Sequence, residues 1–215
     1  MSTDDTRVLL ERGRTWVFAS ALDHPGWARR GKGEHAALQA LAGYEDRYRL
    51  VVGDLCPVGA NERLVVVQEA PGTATTDFGA PDAEGDADLE PLDQAGADRL
   101  VAVLTASWQY LDQVVAGAPD ELTKGPRGGG RDRDAIREHV REAERSYGRA
   151  VGVRVPPRTP WPEQRTALLD GVRASVGTPH DAGWAVRYWA RRTAWHVPDH
   201  AWENQDRTPV GSRLP

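Results

Sequence analysis

Near the end of the chain, in "YWARRTAWHVPDHAWENQDR", His196 and His200 stand four residues apart and Glu203 follows three further on. On a helix this spacing gathers both imidazoles and the carboxylate into one stripe, together with Trp189 and Thr193. Trp184, Trp195 and Trp202 fall on a flank of that stripe, and Arg187 and Arg191 on the opposite side. Two imidazoles on one helix face supply two ligands of a divalent ion. A third from a neighbouring helix would complete a set with an open coordination position. The plainer alternative is a pair of hydrogen-bonded histidines without a metal, two of the six in the chain. Pro198 lies between them, where proline costs about 3 kcal/mol or more of local helix stability. It projects roughly 180° from the histidine face, so the hydrogen bond it removes lies on the far side.

The third ligand candidate is His139, in "RDAIREHVREAERSYGRA". Ala135, Ile136, Ala143, Ser146 and Ala150 share its face, while Arg137, Glu138, Arg141, Glu144 and Arg145 make the polar side. His139 should therefore point inward. Such a site suits Zn²⁺, Ni²⁺ or Mn²⁺. Glu142 and Glu203 project close enough to orient the ligands or to act as a general base, and they are the catalytic candidates. Just ahead of His139, "ELTKGPRGGGRDRD" sets Arg127 and Arg131 around three glycines. No strand feeds this loop and no Gly-Lys-Ser/Thr follows it, so it is no nucleotide-binding loop. It reads either as a connector, its arginines paired with Asp132 and Asp134, or as a wall of the substrate site. Arg127, Arg131 and Trp189 are the substrate-binding candidates.

The elements that must position these residues fall into two groups. Residues 7–11 and 15–22 are β-favouring runs, "DHPGW" turns the chain, residues 33–49 carry helical spacing, and residues 62–70 form another strand. Beyond a loop rich in Gly, Pro, Ala and Asp, only helices follow: residues 98–115, 132–152, 161–177 and about 183–207. The expectation is an α+β chain, a small β-β-α-β module over 1–72, a linker or ordered loop over 73–92, an up-down four-helix bundle over 93–207 and a tail over 208–215. The loop segment "TTDFGAPDAEGD" could fold over the bundle mouth through Asp77 and Phe78. His24, His35 and His180 read as surface or loop residues, and Cys56 as an inert thiol.

On "REHVREAERSYGRAVG" and "ARRTAWHVPDHAWENQDR", residues 93–207 resemble the DinB-like (YfiT-like) superfamily of metal-dependent four-helix-bundle proteins. The resemblance implies a divalent metal held by His139, His196 and His200. It also implies a thiol-dependent transferase or hydrolase with a small-molecule substrate and a low-molecular-weight thiol as partner. Proline inside the H-x-x-x-H pair departs from that pattern. Residues 7–70 resemble the HicB-like antitoxin fold through Asp23, Pro25, Gly26 and Gly33. That likeness supports the competing expectation of a non-enzymatic interaction module joined to a structural bundle.

Composition narrows the function classes. A net charge of −5 speaks against a nucleic-acid partner, and no apolar run approaches the ~20 residues of a membrane span. One cysteine excludes an intrachain disulfide. With no secretory signal at the start, a cytoplasmic location is expected. The oligomeric state stays open, a homodimer among the options.

Overall fold

The computed structural model describes residues 5–57, 59–125, 129–180 and 182–209. It is α+β, a four-stranded sheet followed by helices. β1 (Thr6–Arg12), β2 (Val17–Ala21), β3 (Ala28–Gly31) and β4 (Leu64–Pro71) lie in the order β3-β2-β1-β4. β1 runs antiparallel to β2 and parallel to β4. Val8, Leu10, Val17, Ala19 and Ala21 form one buried face and join the main core with Ala37, Leu41 and Tyr48. Leu9, Glu11, Phe18 and Ser20 are buried on the other face. A strand buried on both sides explains why β1 lacks strict apolar-polar alternation.

Two details differ from the sequence reading. The helical run over 33–49 is two helices, α1 (Glu34–Ala42) and α2 (Glu45–Val52), broken at Gly43. Side chains take the carbonyls a continuous helix would use: the Trp27 indole donates to Leu41 O at 2.9 Å and Asn61 to Ala42 O at 3.2 Å. β3, "ARRG", has little β propensity and is a strand because it pairs with β2.

The segment between the sheet and the bundle contains a short helix α3 (Ala74–Phe78) and is tied down on both sides. On the sheet side, the Glu11 carboxylate accepts the backbone N–H groups of Asp82 (2.8 Å) and Ala83 (3.0 Å) and the Thr76 hydroxyl. On the bundle side, Arg191 pairs with Asp88 at 2.6 Å and donates to Ala83 O at 3.0 Å. Arg192 pairs with Asp82 at 2.8 Å and donates to Pro81 O. Asp77 accepts the Thr15 N–H at 2.7 Å in the β1–β2 turn, and Phe78 is 90% exposed. Both residues thus lie apart from the bundle mouth where the sequence allowed them.

The bundle consists of α4 (Gln94–Gly117), α5 (Arg133–Ala150), α6 (Trp161–Ala174) and α7 (Val186–Arg207). Cross-helix contacts fix their directions. His139 meets His200 while Tyr147 meets Trp184, so α5 and α7 are antiparallel. Gly96 lies beside Arg187 and Tyr110 bonds Gln205, so α4 and α7 are parallel. Glu144 meets Trp161 while Gly148 meets Leu168, so α5 and α6 are parallel. The order is therefore up, down, down, up rather than strict alternation. The connection over 151–160 spans up to about 33 Å, enough to return along the roughly 27 Å length of α5.

α5 and α6 pack closely at Gly148, where a Cβ would come within 2.6 Å of Leu168. One turn earlier, Glu144, assigned by its helical projection to the polar side, is 1% exposed. Trp161 Nε1 donates to it at 2.6 Å and Gln164 at 3.3 Å, and Arg165 lies 3.9 Å away. Burial pushes the Glu144 carboxyl up to about 7, against the opposing pull of Arg165. The indole and amide donors, with the guanidinium charge close by, let a carboxyl occupy a core position.

Replacing Glu11 by alanine leaves one buried amide, one partly buried amide and a buried hydroxyl without their acceptor. We expect a loss of about 3 kcal/mol of unfolding free energy, read as a lower urea midpoint at unchanged m-value. An unmoved midpoint would show that the segment over 80–88 is held by other means.

Candidate metal centre

α7 is the most buried helix of the chain, with every residue from Tyr188 to Pro198 buried. It runs unbroken through Pro198. Lacking an N–H, Pro198 cannot bond the carbonyl of Ala194 four residues back. That freed carbonyl faces the β2–β3 turn, where a Cβ on Gly26 would sit 2.5 Å from Ala194 O. Gly26 has φ +97°, a conformation that suits glycine, and the turn packs directly on the helix backbone. The disruption expected of Pro198 is thus absorbed on the side away from the histidines. Beyond it, Asn204 donates to His200 O at 2.9 Å.

The antiparallel passage of α5 brings His139 between the two histidines of α7. Ring centroids lie 5.2 Å apart for His139 and His196, 4.8 Å for His139 and His200, and 4.5 Å for His196 and His200. One ring nitrogen from each lies within 4.8 Å of the others. A tetrahedral ion at ~2.1 Å draws nitrogen donors to about 3.4 Å from one another, so ligation closes the set by roughly an ångström through side-chain rotation. Nitrogen donors that meet from two helices, one of them 7% exposed, fit a divalent transition ion.

Electrostatics prepare the donors. Burial, then the neighbouring His200 and Arg131, pushes His139 down to about 4. Burial, followed by His200 and His139, holds His196 well below the ordinary imidazole range. Both are therefore neutral at pH 7, with lone pairs available to a cation. His200 is oriented from behind: its Nδ1 lies 2.8 Å from Glu203 Oε2, and Arg207 donates to Glu203 Oε1 at 2.6 Å. Arg207 is itself anchored by Nε to Thr123 O at 2.9 Å. The His200 bond, with Arg207 behind it, keeps Glu203 below the usual carboxylate range. An ionised carboxylate only accepts, so His200 carries its proton on Nδ1 and presents Nε2 as the ligand atom.

The other sequence candidates are placed as follows. The Glu142 carboxylate pairs with Arg145, and among the described residues no hydrogen bond joins it to a histidine. Trp189 is 1% exposed within the main core. Arg131 is exposed, and its charge acts on both His139 and His196. Arg127 lies outside the described residues. His24, read from the sequence as a surface residue, is buried, whereas His35 and His180 are exposed. Cys56 is buried, and burial pushes its thiol up to about 11.

Sequence reasoning placed Trp195 beside the histidine stripe but missed Tyr147 and Arg192 around His196. Tyr147 packs edge-on to it at 5.7 Å, and Trp195 lies 6.2 Å away. Arg192 sits over Tyr147 and Trp184 at 5.3 and 5.2 Å. The signal available was spacing: Tyr147 stands two helical turns after His139, and Arg192 one turn before His196. No family model, no curated protein and no solved structure matches this chain. No described helix is long and apolar enough to cross a membrane.

A histidine that is neutral in the fold, with its pKa below the ordinary 6.5, is protonated first in the unfolded chain as pH falls. The stability it contributes is whole above about 6.5 and is lost toward about pH 4. In chelator-treated protein, His139→Gln should therefore lose less stability than the wild type between pH 6.5 and 4, measured by urea unfolding at each pH. Identical pH profiles would show that His139 is not held neutral by its surroundings.

Proposed function

We propose that this chain is a metal-dependent enzyme of the DinB-like superfamily, binding one divalent ion through His139, His196 and His200. The reading rests on one observation, the convergence of three imidazole nitrogens to within 4.8 Å from two antiparallel helices. When bound, an ion with three protein ligands and an open position supplies Lewis-acid chemistry. Zn²⁺, Ni²⁺ and Mn²⁺ are the candidates. The reaction class is a thiol-dependent transferase or hydrolase acting on a small molecule, with a low-molecular-weight thiol as the second reactant.

The chain's own residues take defined parts in this proposal. Glu203 is a positioning residue that fixes the tautomer and ring angle of His200, and Arg207 keeps Glu203 ionised and aimed. Arg131 brings positive charge to the histidine cluster, which favours an anionic reactant. Tyr147 and Trp195 bound the His196 side with aromatic surface, which limits water there.

The test is metal content and response. Purified protein should hold one ion per chain, and added Zn²⁺, Ni²⁺ or Mn²⁺ should raise Tm in the metal-free form. His139→Ala should abolish both effects, and Glu203→Gln should weaken metal affinity by about tenfold or more while leaving one site per chain. Protein without stoichiometric metal, whose melting ignores all three ions, would rule the enzyme out.

A further inference from the structure

A second cavity, of about 930 Å³, opens far from the histidine cluster, where the β2–β3 turn and the start of β1 meet α4 and Arg187 of α7. Its size suits a small ligand. Its wall holds a preorganised set of donors. Arg99 is fixed by one end only: its Nη2 donates to Leu55 O (2.9 Å) and Asp23 O (3.1 Å) and lies 3.3 Å from His24 Nδ1. Among the described residues its Nε and Nη1 have no partner, and neither is sealed from solvent. Nη2 carries two hydrogens, so the longer contact with His24 shares one of them; a guanidinium can only donate, so His24 Nδ1 accepts and the ring proton sits on Nε2. That Nε2–H also lacks a partner without being sealed, on a residue 7% exposed that lines the cavity. Arg187 spends Nε and Nη2 on the carbonyls of Glu90 and Pro91, and among the described residues its Nη1 has no partner.

The acceptors on the same wall are spent or exposed; Asp5, half-buried, has a partner of its own. Asp23 is taken by Arg7, which reaches it with Nε at 2.9 Å and Nη2 at 2.8 Å. Asp54 and Glu62 are solvent-exposed, where water and salt screen their charge. The donors left over are two guanidinium groups and a neutral imidazole N–H, a combination that receives an oxyanion.

We propose that this cavity is a binding site for a small oxyanion-bearing metabolite, a carboxylate or a phosphate ester, whose anionic group is received by Arg99, Arg187 and the Nε2–H of His24. The site is separate from the metal centre and does not depend on the function assigned to it. His24 is its reporter, because its ring lines the cavity between Arg99 and Trp27.

The experiment titrates the full chain with inorganic phosphate and, separately, with succinate, following the histidine ring resonances by NMR and affinity by calorimetry. A saturable shift of the His24 ring is expected, with affinity unchanged in His139→Ala and at least about tenfold weaker in Arg99→Gln and Arg187→Gln. A response to phosphate alone assigns a phosphate ester, to succinate alone a carboxylate, and to both a general oxyanion site. Arg99 also supports two loop carbonyls; if Arg99→Gln does not fold, Arg187→Gln decides. No saturable His24 shift with either anion at tens of millimolar would overturn the proposal, as would equal affinity in the folded variants.

Discussion

A buried carboxylate on the central strand holds this molecule together. Glu11 lies inside the sheet's second face and is ringed by amide and hydroxyl donors from the segment over 76–83. The same segment meets Arg191 and Arg192 on its other side. Those arginines stand on the helix that carries two of the three histidines. An unpaired buried carboxylate would be costly, as would unpaired buried guanidinium groups. The segment over 80–88 resolves both costs at once, and in doing so fixes α7 against the sheet. The connecting segment is thereby tied at both faces, to the sheet through Glu11 and to α7 through Arg191 and Arg192.

The histidine cluster was legible because helical periodicity is strong over long elements. The spacing of His196, His200 and Glu203, and the inward projection of His139, follow from 100° per residue and little else. The helices themselves were legible from their apolar stripes, with ends misplaced by a few residues. Direction was not legible, since nothing local in α5 or α6 states that they run parallel; the ten-residue connection merely permits it. Glu144 was read as exposed because a single helix projection cannot see Trp161, Gln164 and Arg165 arriving from α6. His24 failed for the same reason, Arg99 of α4 and Trp27 lying against its ring. β3 lacked a propensity signal because β2, and not its own residues, makes it a strand.

The two arginine sets on α7 and α4 do different work. Arg191 and Arg192 are buried and direct donors to the connecting segment, Arg192 leaving its Nε sealed and without a partner among the described residues. Arg99 and Arg187 are only partly spent among the described residues, and both line the cavity between sheet and bundle. A guanidinium whose donors are spent or sealed stiffens structure, whereas one with solvent-open N–H groups can recognise a ligand. The distinction rests on which donors have partners and could not be drawn from the sequence.

The contact of Gly26 with the Ala194 carbonyl has a consequence for how the molecule can vary. Any side chain at position 26 would have to push the helix axis aside two residues ahead of His196. The strand turn therefore works as a stop against which the donor set is gauged. Displacing that stop would tilt the His196 ring relative to its neighbours, so the geometry of the cluster is tied to a residue that never touches it.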